Sequence, residues 1–249
     1  MVDGGRTILS EVRYRLSMLV PTEVKWWLLR QLFPGIVVWA AKFFQGIAPV
    51  WDADPRFRDL YDSISGRCLI DRKKAYVLFN CATTSKNIDG ALAEVGVYRG
   101  ATAKLILEAT NYEKEFFGFD TFEGLPPTDE TFDPYWKEGD LADARFEDVK
   151  SFLGSGGIRL IKGFFPDTAS GLPHDTRFSL VHVDADIFRT TLDACIFFYP
   201  RMASTGLMVF DDYGFLSCPG VKKAIDEYFA ERPEQPICVA SGQCIVVKH

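Results

Sequence analysis

ALAEVGVYRG (Ala91–Gly100) is an apolar run, 91–97, that passes into a turn bounded by Gly96 and Gly100. An extended segment feeding a glycine turn and then a helix is the first half of a βα unit, and the rest of the chain repeats the alternation. Strands are expected at 91–97, 115–119 (EFFGF), 158–162 (IRLIK), 178–183 (FSLVHV) and 206–210 (GLMVF), with helices at 100–111, 145–153, 189–200 and 219–231. Such alternation specifies a parallel sheet with helices on both faces. The last segment, PICVASGQCIVVKH (Pro236–His249), is two apolar runs joined at Ser241-Gly242, which predicts an antiparallel hairpin. The expected architecture is therefore α/β: a doubly wound, mostly parallel seven-stranded sheet.

Upstream of the first strand, IDRKKAYVLFNCATTS places Asp71 where it caps a helix whose inner face carries Ala75, Leu78 and Phe79. Residues 1–62 read as a helical N-terminal extension, cut into short pieces at Pro34 and Pro49 and compatible with a lid. Residues 63–249 read as the ligand-binding domain. The extension packs on the main domain in the simpler reading. Peripheral contact with a membrane through Trp26, Trp27 and Phe33 is the alternative.

Bulk properties narrow the function. With 249 residues, 47% hydrophobic and 25% charged, the chain has the make-up of an ordinary folded protein. A net charge of −6 argues against a nucleic-acid partner, which calls for a basic surface. Six cysteines without a CxxC pair, and three histidines that do not cluster with them in sequence, argue against zinc and against a disulfide framework. The N-terminus carries charges where a signal peptide would be apolar, and the uncharged stretch 31–41 is too short to span a bilayer, so a cytoplasmic protein is expected. A homo-oligomer is left open.

The glycine turn sits at the carboxyl edge of the sheet, where open α/β folds bind ligands. Gly96 allows close backbone approach and Gly100 starts the helix without a side chain in the way. Asp120, at the end of the second strand in GFDTFEGLP, stands where a carboxylate accepts both hydroxyls of a ribose. The GxGxxG spacing of dinucleotide sites is absent, which favours adenosine without a diphosphate.

A second feature lies on the next strands. HVDADIF and VFDDYG bring Asp184, Asp186, Asp211 and Asp212 to one edge, where their mutual repulsion calls for a positive partner. With no histidine or cysteine expected nearby, the oxygen-only donor set predicts a hard cation on Asp184, Asp211 and Asp212: Mg²⁺ first, with Mn²⁺ or Ca²⁺ as alternatives. Such an ion would favour ionisation of an acceptor hydroxyl. Asp186, two residues past a ligand, is the candidate general base; the competing reading is that it caps the helix opening near Phe188.

Together, EVGVYRG, FDTFEGLP, GFFPDT, HVDADIFRTTLDA and FDDYGFLSCPGVKKAIDEYF resemble the macrocin O-methyltransferase family, from about residue 55 to the C-terminus. The resemblance implies a class I methyltransferase fold, whose parallel sheet ends in an antiparallel hairpin. It also implies S-adenosylmethionine as cofactor, Mg²⁺, and methylation of hydroxyls, commonly on sugars of natural products or glycans. It places Glu94, Gly96 and Asp120 on the cofactor, with Tyr98, Gly100, Thr121 and Phe122 from the same motifs, and Leu69, Ile70, Gly163 and Phe164 flanking it. Asp184, Asp211 and Asp212 fall on the metal. Members of the family draw a histidine base from the insertion after the second strand, but residues 121–173 contain none, which leaves Asp186. Methylation of a catechol or other phenol would need the same metal clamp. A non-catalytic S-adenosylmethionine-binding protein is the alternative from another class.

Overall fold

The computed structural model describes residues 50–249. Trp26, Trp27 and Phe33, the residues on which the membrane-contact alternative rests, lie outside the described residues, as does the extension as far as residue 49. A short 3-10 turn, Val50–Ala53, leads into α1 (Pro55–Ile64), which therefore runs across position 62. Asp54 caps α1 by accepting from the Phe57 N–H at 3.2 Å. Asp71 caps α2 (Arg72–Ser85) as the sequence predicts, accepting from the N–H groups of Lys73 and Lys74, both at 2.9 Å.

The sheet then begins with β1 (Ala91–Val95), followed by α3 (Ala101–Ala109), β2 (Phe116–Asp120), α4 (Phe146–Leu153), β3 (Ile158–Lys162), β4 (Phe178–Val183), α5 (Phe188–Phe198), β5 (Met202–Phe210), α6 (Pro219–Phe229), β6 (Ile237–Cys238) and β7 (Cys244–Val247). Seven strands lie in the order β3-β2-β1-β4-β5-β7-β6. The first five are parallel, and β7 runs antiparallel between β5 and β6, so the terminal hairpin is present and inserts its second strand next to the core. All six residues of β4 are buried, as expected of a central strand covered on both faces. At the edge, β3 turns Arg159 and Lys162 outward, charges that discourage pairing with another chain.

Two apolar layers flank the sheet. One holds Phe57, Leu78, Phe79, Leu105, Val149 and Leu153 from α1–α4, and the other Cys195, Phe198, Val221, Ile225 and Phe229 from α5 and α6. One strand begins earlier than expected: β5 starts at Met202 rather than 206, because Met202 pairs with Phe178 before the register shifts to Leu180–Leu207. The exposed Ser204-Thr205, with Thr205 at φ +64°, breaks the apolar alternation and hides this start in the sequence. Among the described residues no helix is long and apolar enough to cross a membrane.

Candidate active site

The strand order reverses between β1 and β4, and a cleft opens at their carboxyl ends. Gly96 leaves β1 with φ +89°, and a Cβ there would lie 1.8 Å from the Asp184 carbonyl oxygen, so only glycine lets the two strand ends meet. The chain turns back through Tyr98 (φ +49°) and Gly100 (φ +82°) into α3. Asp120 holds this turn: its carboxylate accepts from the Tyr98 N–H at 2.7 Å and the Phe122 N–H at 2.6 Å. Each carboxylate oxygen retains accepting capacity for a further donor. Burial pushes the Asp120 carboxyl up, and the backbone donors oppose that shift.

Leu69, Ile70, Gly96, Tyr98, Asp120, Thr121 and Gly163 all line the cleft, as do Asp184, Asp186, Asp211 and Asp212. Four expected cofactor residues stand back from it. Glu94 is buried beneath, and Gly100 faces Val149 and Leu153 of α4. Phe122 packs edge-on against Phe146 at 5.2 Å. Phe164 is 53% exposed, and its neighbour Phe165, stacked on Phe198, lines the cleft instead.

The acids are not alone, which corrects the expectation of an oxygen-only neighbourhood without histidine or cysteine. The Lys74 ammonium donates to Asp211 Oδ2 at 2.5 Å and to Asp212 Oδ1 at 3.0 Å. Gln243 Nε2 donates to Asp211 Oδ1 at 2.9 Å. His182 lies 2.8 Å from Glu94 through Nδ1 and 3.9 Å from Asp211 Oδ1 through Nε2. Glu94 and His182 are direct neighbours across β1 and β4, so alternation aims both at the same face. Burial works against charge on Asp211, yet His182 and Lys74 outweigh it and hold its carboxyl below the usual range. Asp212 is pushed up by burial and by Asp211. Asp184 is pushed well up by burial and then by Asp211, Asp212 and Asp186, and Asp186 is pushed up to about 7 by burial, Asp212 and Asp211.

The rival reading of Asp186 as a helix cap does not hold. The N-cap position of α5 is Ile187, which offers no side-chain cap, and the Phe188 N–H is taken by Asp133 Oδ1 at 2.8 Å, from the insertion after β2. Asp186, at φ +61°, is left in the cleft with Cys218 Sγ 3.8 Å away. Burial and Asp212 push the Cys218 thiol up to about 12, and its Sγ forms a second group of possible metal donors with Asp186 and Asp212. Oxygen atoms of Asp184, Asp211 and Asp212 lie within 4.8 Å of one another. Among the described residues no ion pair reaches Asp184 or Asp186. Counting Glu94, five acids face the Lys74 ammonium and the His182 ring, which leaves a negative surplus, and the oxygen donors of Asp184, Asp211 and Asp212 suit a hard divalent ion.

Sequence reasoning missed Lys74, His182, Gln243, Asp133 and Trp136. Trp136 forms a wall of the cleft, its indole N–H donating to Cys218 Sγ at 3.4 Å. The insertion carrying it is seated by buried Asp133, whose Oδ1 lies where a Cβ on Gly220 would be, 2.2 Å away. Gly220→Ala is expected to unseat this segment at a cost of about 1–3 kcal/mol. A shift of tryptophan fluorescence and a lower melting temperature would be the signs. Unaltered fluorescence and melting would contradict this seating.

His182 gives a pH prediction. Burial alone would lower its pKa, but the carboxylates of Asp211 and Glu94 on its two sides push it up to about 9. The unfolded chain has an ordinary histidine near pKa ~6.5. The charged ring therefore contributes stability that is complete below about pH 6.5 and disappears as pH rises through the folded value, a few kcal/mol in all. Melting curves of the wild type should fall across this window, relative to those of His182→Gln. Parallel curves would remove the charged histidine from the account.

The sheet order, the antiparallel β7, the glycine turn at the switch point and the acid after β2 define a class I methyltransferase fold. The chain belongs to the macrocin-O-methyltransferase (TylF) family, whose model matches residues 63–246. It is 31% identical to the demethyldecarbamoylnovobiocin O-methyltransferase of Streptomyces niveus, over 58% of this chain and 60% of that protein, so the match spans about three-fifths of the relative. It is 28% identical to the 8-demethyl-8-(2,3-dimethoxy-alpha-L-rhamnosyl)-tetracenomycin-C 4'-O-methyltransferase of Streptomyces olivaceus, over 71% and 73% of the two chains. The solved structure of the O-methyltransferase NovP superposes with a TM-score of 0.65 at 25% identity, covering 73% of this chain and 82% of that one.

Proposed function

We propose that this protein is an S-adenosylmethionine-dependent O-methyltransferase that works with a divalent cation, Mg²⁺ foremost, on a sugar hydroxyl of a natural product or glycan. The observation that carries the reading is that one cleft joins Gly96 and Asp120 on its cofactor side to Asp184, Asp186, Asp211 and Asp212 on its far side. Family membership supports methyl transfer to oxygen, and the rhamnosyl group in the name of the Streptomyces olivaceus relative supports a sugar acceptor.

S-adenosylmethionine supplies the methyl group on a sulfonium, and a divalent ion held by Asp184, Asp211 and Asp212 supplies positive charge that lowers the pKa of an acceptor hydroxyl. The protein's own part is positioning and proton transfer. Asp120 offers its carboxylate to ribose hydroxyls while its bonds to Tyr98 and Phe122 keep it in place. Asp186, in no ion pair among the described residues, takes the acceptor proton on the carboxylate oxygen that Cys218 leaves free. Lys74 and Gln243 fix Asp211, and Trp136 lines the same cleft as the acids, where an acceptor ring would pack.

An acceptor panel tests the reading. Glycosides with aliphatic hydroxyls should be methylated, catechols poorly, and EDTA should stop the reaction. Turnover of catechols alone would shift the substrate class to phenols. Full turnover in EDTA would remove the metal, and absence of S-adenosylmethionine binding would leave a non-catalytic relative of the family.

A further inference from the structure

Lys74 is a departure from the pattern expected of an empty acidic site, since its ammonium already satisfies two of the three carboxylates assigned to the cation. Only 6% of the residue is exposed, and its Nζ is 2.5 Å from Asp211 Oδ2, 3.0 Å from Asp212 Oδ1 and 3.9 Å from the centre of the Phe215 ring. Its backbone is equally fixed. The Lys74 N–H is held by the Asp71 cap, and its carbonyl accepts from Gln243 Nε2, the same nitrogen that donates to Asp211 Oδ1. The cation is thus a built part of the site and not a passing surface lysine.

A buried carboxylate pair without a positive partner is costly, and a second positive charge brought within a few ångströms of an ammonium is repelled. Both demands fall on Asp211 and Asp212. Resting on the metal reading above, we propose that Lys74 is an internal counter-ion that competes with the divalent cation for Asp211 and Asp212. It holds the acids together in the metal-free protein and leaves the carboxylate oxygens to the entering ion. The cation then enters from the side of Asp184, which no ion pair among the described residues neutralises, and draws Asp211 and Asp212 from Lys74 only at the expense of those contacts.

The test is a Mn²⁺ titration of the full chain, with free Mn²⁺ read by electron paramagnetic resonance, for the wild type, Lys74→Met and Asp184→Asn. Lys74→Met keeps the length of the stem without the charge. It should bind Mn²⁺ at least tenfold more tightly than the wild type, melt at a lower temperature without metal, and gain more from Mn²⁺. Asp184→Asn should bind more weakly than the wild type. If Lys74→Met does not fold, crystals of the wild type soaked in Mn²⁺ serve instead: Nζ should move away from Asp211 Oδ2 or Asp212 Oδ1. Wild-type binding with equal or weaker binding by Lys74→Met, or an unmoved Nζ beside a bound ion, would overturn competition and leave the metal reading standing. No binding by either protein would overturn both.

Discussion

Asp184→Asn is expected to lower turnover by on the order of a thousandfold, because several kcal/mol of charge stabilisation leave with one cation ligand. The same change should leave thermal stability equal or higher. Burial and three neighbouring acids push the Asp184 carboxyl well up, so the folded state holds this charge at a cost that asparagine does not share. Binding of S-adenosylmethionine should persist, since Asp120 and the glycine turn are untouched. Asp211→Asn reverses the pattern on stability. It removes the closer of the two carboxylates that hold Lys74, leaving the ammonium on Asp212 alone and His182 on Glu94 alone, and should cost about 1–3 kcal/mol. Parallel measurements of kcat, cofactor binding and melting temperature separate the two variants. An active Asp184→Asn, or one that melts well below the wild type, would contradict this division of roles.

Gly96→Ala should be more damaging than any single side-chain loss in the cleft. The new Cβ would lie 1.8 Å from the Asp184 carbonyl oxygen and 2.7 Å from its carbon, both backbone atoms that cannot swing aside. Both strand ends are pinned: the Gly96 N–H donates to the Phe119 carbonyl at 2.9 Å and the Asp184 N–H to the Val95 carbonyl at 2.9 Å. With φ at +89° the alanine is strained as well, and a loss of about 4 kcal/mol or more is expected, a size reserved for gross steric conflict. Prying these strands apart moves the cofactor turn and Asp184 together, so S-adenosylmethionine binding should fail along with stability. A denaturant titration and a calorimetric binding curve check both. Wild-type values in the two would mean that the strand ends have slack the geometry does not reveal.

The fold was legible because its signals are local. Apolar runs of strand length alternate with helical segments, and Ser241-Gly242 marks the hairpin; the largest miss is the start of β5, across a bulge with two exposed polar residues, while β1 ends at Val95, two residues before its expected end. Asp120 and the four acids were legible because each lies at or just past a strand end. The partners of those acids were not, because their effect depends on contacts distant in sequence: Lys74 meets Asp211 across 137 positions, and Asp133 reaches Phe188 across 55. Two signals were nevertheless present. Lys74 falls on the buried stripe of α2 with Leu78, Cys81, Ala82 and Ser85, an unusual place for a lysine unless it has a partner. His182 precedes Asp184 by two residues, as Glu94 precedes Gly96, so alternation alone puts histidine and glutamate on one face. Phe164 and Phe165 show the opposite limit, since adjacent aromatic residues in a turn give no period to say which one faces the cleft.

The most direct test follows the methyl group itself. Protein supplied with S-adenosylmethionine bearing a trideuteriomethyl group, Mg²⁺ and a glycoside acceptor should return S-adenosylhomocysteine and methylated acceptor in equal amounts, with the labelled methyl on a sugar oxygen by mass spectrometry. Asp184→Asn should bind the cofactor and leave the acceptor unlabelled. Label appearing on carbon or nitrogen, or on oxygen at the same rate with Asp184→Asn, would contradict the assignment of this cleft to metal-assisted methylation of a hydroxyl.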